Sequence, residues 1–121
     1  MRVIIAGGRN YKFTEADIDG LDFMHRHLGF SAVLCGMATG ADMEGKQWAE
    51  SRGIPVEEYP AKWNEFGRAA GPMRNKEMAE NADMLIPFPG GRGTENMIKQ
   101  AMECNLVIPG GKEMRDENPT V

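Results

Sequence analysis

The sequence predicts an α/β protein, with an open parallel sheet of about five strands and helices on both faces. Two observations lead to this class. Short apolar runs rich in β-branched residues, typical of strands buried on both faces, recur along the chain. Between them lie segments with an apolar residue every three or four positions, which indicates amphipathic helices. Strands that alternate with helices at this spacing favour a parallel sheet.

The expected elements follow in order. Strands are predicted at residues 3–6, 32–35, 54–59, 84–88 and 106–109. The first helix is expected to begin at Thr14 as N-cap and to end at Gly29. A second helix is expected over 42–52, a third from Pro72 toward residue 83 after an irregular stretch at 60–72, and a fourth from near Thr94.

The composition describes one ordinary soluble domain of 121 residues, divided as 1–110 plus a polar tail at 111–121. The net charge of −4 argues against nucleic acid as a partner, so an anionic ligand must be held locally by arginines and backbone amides. Two cysteines suit a reducing compartment, and the apolar N-terminal run is too short for a signal peptide or membrane span. A cytoplasmic protein that does not enter a membrane is expected.

The stretch at residues 83–97 has the strongest functional signal. A buried strand breaks into a turn with three glycines, and a helix follows, with Thr94 predicted as its N-cap. A strand, a glycine turn and a helix N-terminus form a ready site for an anion, usually phosphate. An ordinary strand-to-helix turn would use the same residue types. The candidate ligand-binding residues here are Pro89, Gly90, Gly91, Arg92, Gly93, Thr94 and Glu95.

Three further polar or glycine-rich loops follow predicted strands. Because ligands of open α/β sheets bind at the carboxyl edge, these loops are expected to meet there. Asp42 either caps the second helix or accepts a hydrogen bond from a ribose hydroxyl. Trp63 and Phe66 either stack on a base or anchor their loop to the core. The candidate ligand-binding residues in these loops are Gly7, Gly8, Arg9, Asn10, Gly36, Gly40, Ala41, Asp42, Arg68, Arg74 and Asn75.

Arg74 is expected in the first turn of the third helix, where a cation opposes the helix dipole unless an anion is near. The sequence has no GxGxxG or GxxxxGK[ST] motif, no metal-ligand spacing and no catalytic histidine arrangement. No cofactor and no metal are predicted. Any catalysis would have to be carried out by carboxylates, and Glu95 and Asp42 are the catalytic candidates. Glu95 is equally expected at a helix start, where an acidic residue complements the helix dipole.

The chain resembles the YspA/YpsA-related branch of the SLOG superfamily, which implies a Rossmann-like domain that binds nucleotides or their derivatives. The resemblance covers roughly residues 1–110. Its motifs are AGGRNY at 6–11, GMATGAD at 36–42, WAESRGIPV at 48–56, GRAAGPMRNKEM at 67–78 and PGGRGTEN at 89–96. Homo-oligomerisation, at least as a dimer, is implied by LOG-like relatives.

The LOG-type phosphoribohydrolases of the same superfamily carry PGGxGTxxE, whose final glutamate is catalytic, and an upstream arginine that Arg74 matches. The glutamate position is Met97 here. Glu95 lies about 200° away around a helix of 3.6 residues per turn, so it does not simply substitute. The expected function is therefore a domain that senses or sequesters a phosphate-bearing nucleotide. An N-glycosidic hydrolase that uses Glu95 or Asp42 is the alternative, and an assembly or partner-binding module is the second alternative.

Overall fold

The structure is a computed structural model that describes residues 1–109. Its strands are β1 (Arg2–Ala6), β2 (Ala32–Cys35), β3 (Val56–Glu58) and β4 (Met84–Pro87). Its helices are α1 (Glu15–Leu28), α2 (Ala41–Ser51), α3 (Trp63–Phe66), α4 (Ala70–Glu80) and α5 (Arg92–Glu103), with a 3₁₀ turn at Gly67–Ala69. The polar tail predicted at 111–121 lies outside the described residues. No described helix is both long and apolar enough to span a membrane.

The strands form one parallel sheet in the order β3-β2-β1-β4. The chain first builds outward from β1 through β2 to β3 and then returns to place β4 on the other side of β1. The direction of winding therefore reverses between β1 and β4. In open α/β sheets, the crevice outside the carboxyl ends of the strands at such a switch point is where ligands bind.

Helices cover both faces of the sheet, as predicted. Val3 and Ile5 of β1 pack in one core cluster with Leu21 of α1 and Trp48 of α2. The alternate strand residues belong to a second cluster, which includes Met78 of α4 and Met97 and Ala101 of α5. Because successive strand residues point to opposite faces, α1 and α2 lie on one side and α4 and α5 on the other.

The first helix follows its prediction closely. The hydroxyl of Thr14 accepts from the amide of Asp17, and the carboxylate of Asp17 accepts from the amide of Thr14, which makes a complete capping box. Gly29 ends the helix at φ 70°, in the left-handed conformation that glycine adopts without strain.

The fifth strand predicted at 106–109 is not formed within the described residues. Only Val107 pairs, through one parallel bridge to Met84, with its amide on Asp83 O at 3.0 Å and its carbonyl on Leu85 N at 2.9 Å. A parallel ladder would next require the amide of residue 109, which is proline and has no N–H to donate. The described sheet therefore has four strands.

Several predicted boundaries are corrected. β3 is shorter than 54–59, and it begins only at Val56 because Pro55 cannot donate to the ladder. The irregular stretch at 60–72 holds α3 and the 3₁₀ turn, and α4 begins at Ala70 and ends at Glu80. Arg74 is thus the fifth residue of α4 and lies beyond its first turn. The N-caps of α2 and α5 are Gly40 and Gly91 rather than Asp42 and Thr94, and neither helix has a side-chain cap.

Candidate functional site

A cavity of about 910 Å³ opens at the carboxyl edge of the sheet. Loops that follow all four strands contribute to its walls, which confirms the predicted convergence of these loops. The N-terminal parts of α2, α4 and α5 border it as well. The volume lies within the range of small-molecule sites.

Gly8 joins three of these loops through its backbone. Its amide donates to Pro89 O at 2.8 Å, and its carbonyl accepts from Ala41 N at 3.1 Å. Gly40 and Gly90 both approach this backbone so closely that a Cβ on either would overlap it. These glycines are therefore required by packing between loops, and this contact fixes the α2 and α5 helix starts relative to each other.

The start of α5 is open toward the cavity. The first helical hydrogen bond runs from Glu95 N to Gly91 O. Within residues 1–109, no hydrogen bond occupies the preceding amides of Arg92, Gly93 and Thr94, and all three residues line the cavity. Thr94 does not cap the helix because its buried side chain packs directly against Gly90. Free amides at the positive end of a helix dipole favour an anion.

Arg74 and Asn75 connect α4 to the neighbouring walls. The Arg74 guanidinium donates to Gly36 O and, at 3.4 Å, to Tyr59 O, and its Nε donates to Asn75 Oδ1 at 2.9 Å. The buried amide of Asn75 donates to Asn96 Oδ1 at 3.0 Å and Gly93 O at 3.4 Å. Burial lowers the pKa of Arg74, while the carboxylate of Asp42 acts in the opposite direction.

Asp42 places a buried carboxyl group in the same cavity. Its Oδ2 accepts from Ala38 N at 3.2 Å and, like Arg74, lies against Gly36. Burial raises the pKa of Asp42 to about 6, although the Ala38 hydrogen bond and the charge of Arg74 both lower it. Among the described residues, Asp42 and Arg74 form no ion pair within 4 Å, although the charge of each affects the pKa of the other.

Cations outnumber carboxylates in the cavity. Arg9, Arg74 and Arg92 line it, and Asp42 is the only acidic residue among the described lining residues. The chain as a whole carries a net charge of −4. The cavity is therefore a local positive region on an acidic protein, as an anion site requires.

The structure brings most of the predicted site residues together. Those that line the cavity are Gly7, Gly8, Arg9, Gly36, Asp42, Arg74, Asn75, Gly91, Arg92, Gly93 and Thr94. Gly40, Ala41, Pro89 and Gly90 instead hold the loops against one another. Asn10, Arg68 and Glu95 are exposed and outside the lining. Of the two catalytic candidates, only Asp42 is in the cavity.

Several lining residues were absent from the predicted set, among them Met37, Thr39, Gly71, Asn96 and Met97. Met37 has φ 66°, a left-handed conformation that a non-glycine residue rarely adopts, and nothing in its residue type signals this. Gly71 and Asn96 lie in the motifs GRAAGPMRNKEM and PGGRGTEN, so those motifs contained a signal for them.

Fold and site together define a parallel α/β domain with an arginine-lined cavity at the carboxyl edge of its sheet. The sequence pattern of the YspA, cpYpsA-related SLOG family matches residues 1–66. The Gene 61 protein of Mycobacterium phage D29 is 34% identical to this chain over an alignment 116 positions long, and the match covers 88% of this chain and 93% of that protein. No solved structure matches the chain. The chain belongs to the YspA, cpYpsA-related SLOG family, which indicates a nucleotide-related function; the name of the phage protein specifies none.

Proposed function

We propose that the protein binds a phosphate-bearing nucleotide or nucleotide derivative in this cavity and acts as a sensor or sequestering domain with a Rossmann-like architecture. The observation that carries the proposal is the open start of α5, where the amides of Arg92, Gly93 and Thr94 have no partner within the described residues. Backbone amides at a helix N-terminus bind phosphate through direct hydrogen bonds and the helix dipole.

The surrounding charges support the same ligand. Arg9 and Arg92 are exposed at the cavity, and neither forms an ion pair within the described residues. Asp42 offers a carboxylate to a ribose hydroxyl, in the manner of acidic residues in dinucleotide-binding folds. A ligand with a phosphate and a ribose thus matches both the positive and the negative groups of the cavity.

The test is mass spectrometry after incubation with mixed ribonucleoside monophosphates and NAD-derived nucleotides, with bound and free fractions analysed separately. An intact nucleotide recovered only with the protein is the expected result. Arg92→Ala should weaken its binding about ten- to a hundredfold, because a hydrogen bond to a charged group contributes about 1.5–3 kcal/mol. Arg68→Ala is the matched control, since Arg68 is exposed and outside the lining. Equal loss in both variants would contradict the proposed site.

A second candidate function, release of the base from a nucleoside monophosphate, is favoured by one observation. Asp42 is a buried carboxyl group in the cavity with a pKa near 6, a value suited to proton transfer near neutral pH. Met97, at the position of the glutamate in the resembled hydrolases, lines the cavity and cannot transfer a proton. An enzyme would release free base and ribose phosphate over many turnovers, and Asp42→Asn would abolish release while binding persists. Absence of turnover in the wild-type protein would exclude this function.

Homo-oligomerisation, implied by resemblance, stays a prediction, which sedimentation of the full chain would test.

A further inference from the structure

Trp63 lines the cavity and is not part of the hydrophobic core of the described residues. It begins the short helix α3 and lines the cavity with 52% of its surface exposed. Neither core cluster of the described residues includes it, and α3 has no buried residue. Trp48, by contrast, is 4% exposed and belongs to the core. Of the two roles open to Trp63 from sequence, the structure therefore does not favour anchorage to the core.

The indole ring is placed by contact with α4. A Cβ on Gly71 would lie 3.1 Å from Cη2 of Trp63, so the absence of a side chain at Gly71 leaves room for the ring. Gly71 is buried at the start of α4 and itself lines the cavity. The ring thus rests on one wall and leaves much of its surface open to the cavity and solvent.

The ring and the proposed phosphate site both contact helix α4. Gly71 and Asn75 are four residues apart on the same face of α4, which is about 6 Å along the helix axis. The amide of Asn75 contacts Gly93 O at the open start of α5. The aromatic ring and the proposed anion site therefore contact two residues of α4 that are about one helical turn apart, and both border one cavity. Pro60, Ala61 and Pro72 are further apolar residues of the cavity lining.

We propose that Trp63 is the surface on which the base of the bound nucleotide stacks, so that the ligand is a nucleotide rather than a sugar phosphate. The inference rests on the proposed function, because it takes the phosphate to lie at the start of α5. Stacking on an aromatic side chain is available to every base, since each has a π face. Trp63 would therefore raise the affinity for nucleotides as a class, and contacts other than Trp63 would determine which base is preferred.

Isothermal titration with the four ribonucleoside 5′-monophosphates and with ribose 5-phosphate, which lacks a base, tests the inference. The wild-type protein should bind at least one nucleotide about tenfold or more tightly than ribose 5-phosphate. Trp63→Leu should remove this advantage and leave the ribose 5-phosphate affinity unchanged. Trp63→Phe should retain part of the advantage in affinity. The nucleotide that binds more tightly than ribose 5-phosphate should quench the tryptophan fluorescence of the wild-type protein but not that of Trp63→Phe.

Phe66→Leu is the matched control. Phe66 is an exposed aromatic residue of the same short helix but is not part of the main cavity lining, so its replacement should leave both affinities unchanged. Equal wild-type affinity for the nucleotides and ribose 5-phosphate would overturn the stacking role while the phosphate site stands. Failure of every phosphate compound to bind would overturn the proposed function, and the stacking role with it. Thermal unfolding of each variant verifies that it is folded.

Discussion

Two helices of this protein begin in opposite ways. α1 begins with a capping box in which Thr14 and Asp17 satisfy each other's backbone amides. α5 begins at Gly91 without a side-chain cap, has the cation Arg92 as its first residue, and leaves amides open to the cavity. A capped start contributes to stability, whereas an uncapped start beside a cavity keeps its hydrogen-bonding capacity for a ligand. We therefore assign the start of α1 to stability of the fold, and we propose that the start of α5 binds the phosphate of the ligand.

Gly90→Ala should produce the largest effect, because it breaks the packing that holds the α5 start. The new Cβ would overlap the hydroxyl of Thr94 and lie 2.7 Å from the amide of Gly8. We expect a loss of about 3 kcal/mol in the free energy of unfolding, measured with urea, together with loss of nucleotide binding.

Gly93→Ala is the control for that variant. A Cβ on Gly93 meets nothing within 4 Å, and alanine favours the first turn of a helix over glycine. The unfolding free energy should stay within about 1 kcal/mol of the wild-type value, on the side of greater stability. A loss as large as that of Gly90→Ala would show that the packing account is wrong.

Asp42 lies near a helix start, as Asp17 does, but its pKa is shifted in the opposite direction. Partial burial of Asp17 would raise its pKa, but hydrogen bonds from Tyr11 and Thr14 outweigh burial and lower it. For Asp42 burial prevails and the pKa is about 6, against an ordinary value of 3.8. The stability contributed by protonated Asp42 is therefore complete below pH 3.8 and is lost as the pH rises through about 6.

Asp42→Asn should remove this pH dependence. The variant should gain about 2–3 kcal/mol over the wild-type protein at about pH 8, and the difference should vanish near about pH 4. Urea unfolding at the two pH values measures it. A difference that is constant with pH would mean that Asp42 titrates normally in the folded protein.

Thr14→Ala should have the smallest effect and should act on stability alone. Loss of the N-cap hydroxyl should lower the unfolding free energy by about 1 kcal/mol. Nucleotide affinity, measured by titration on the folded variant, should be unchanged because α1 contributes no residue to the cavity lining. Weaker binding by this variant would contradict the separation between the two helix starts.

The sequence predicted most of the fold, because local signals determine most of it. β2 has the predicted bounds, and α1 has the predicted caps, since both depend on neighbouring residues. The fifth strand was not formed as expected, because its end depends on a single missing N–H at Pro109. The prediction of Thr94 as an N-cap was wrong, because its side chain packs on Gly90. Asp42, predicted either to cap α2 or to contact a ligand, does not cap α2, because its carboxylate accepts from Ala38 N.

The candidate site was predicted as a set of loops more accurately than as a set of side chains. The order of strands and loops indicated which loops meet, so Arg74 and the glycine turn were found at the cavity. The exposure of a side chain and the direction in which it points follow from tertiary packing, which the sequence pattern does not encode. Glu95 and Arg68 were therefore included although they lie outside the lining, and Asn96 was left out although it bonds Asn75 within the lining.

The most direct test of the account gives α5 the kind of start that α1 has. Gly91→Asp places a capping carboxylate at the N-cap, where a side chain meets nothing within 4 Å, and Gly91→Asn supplies a neutral cap as its control. The measurement is titration of both variants and the wild-type protein with the four ribonucleoside 5′-monophosphates. We expect Gly91→Asp to be at least as stable as the wild-type protein and to weaken nucleotide binding at least about tenfold, and more than Gly91→Asn does. Unchanged affinity in Gly91→Asp would show that the start of α5 does not hold the phosphate.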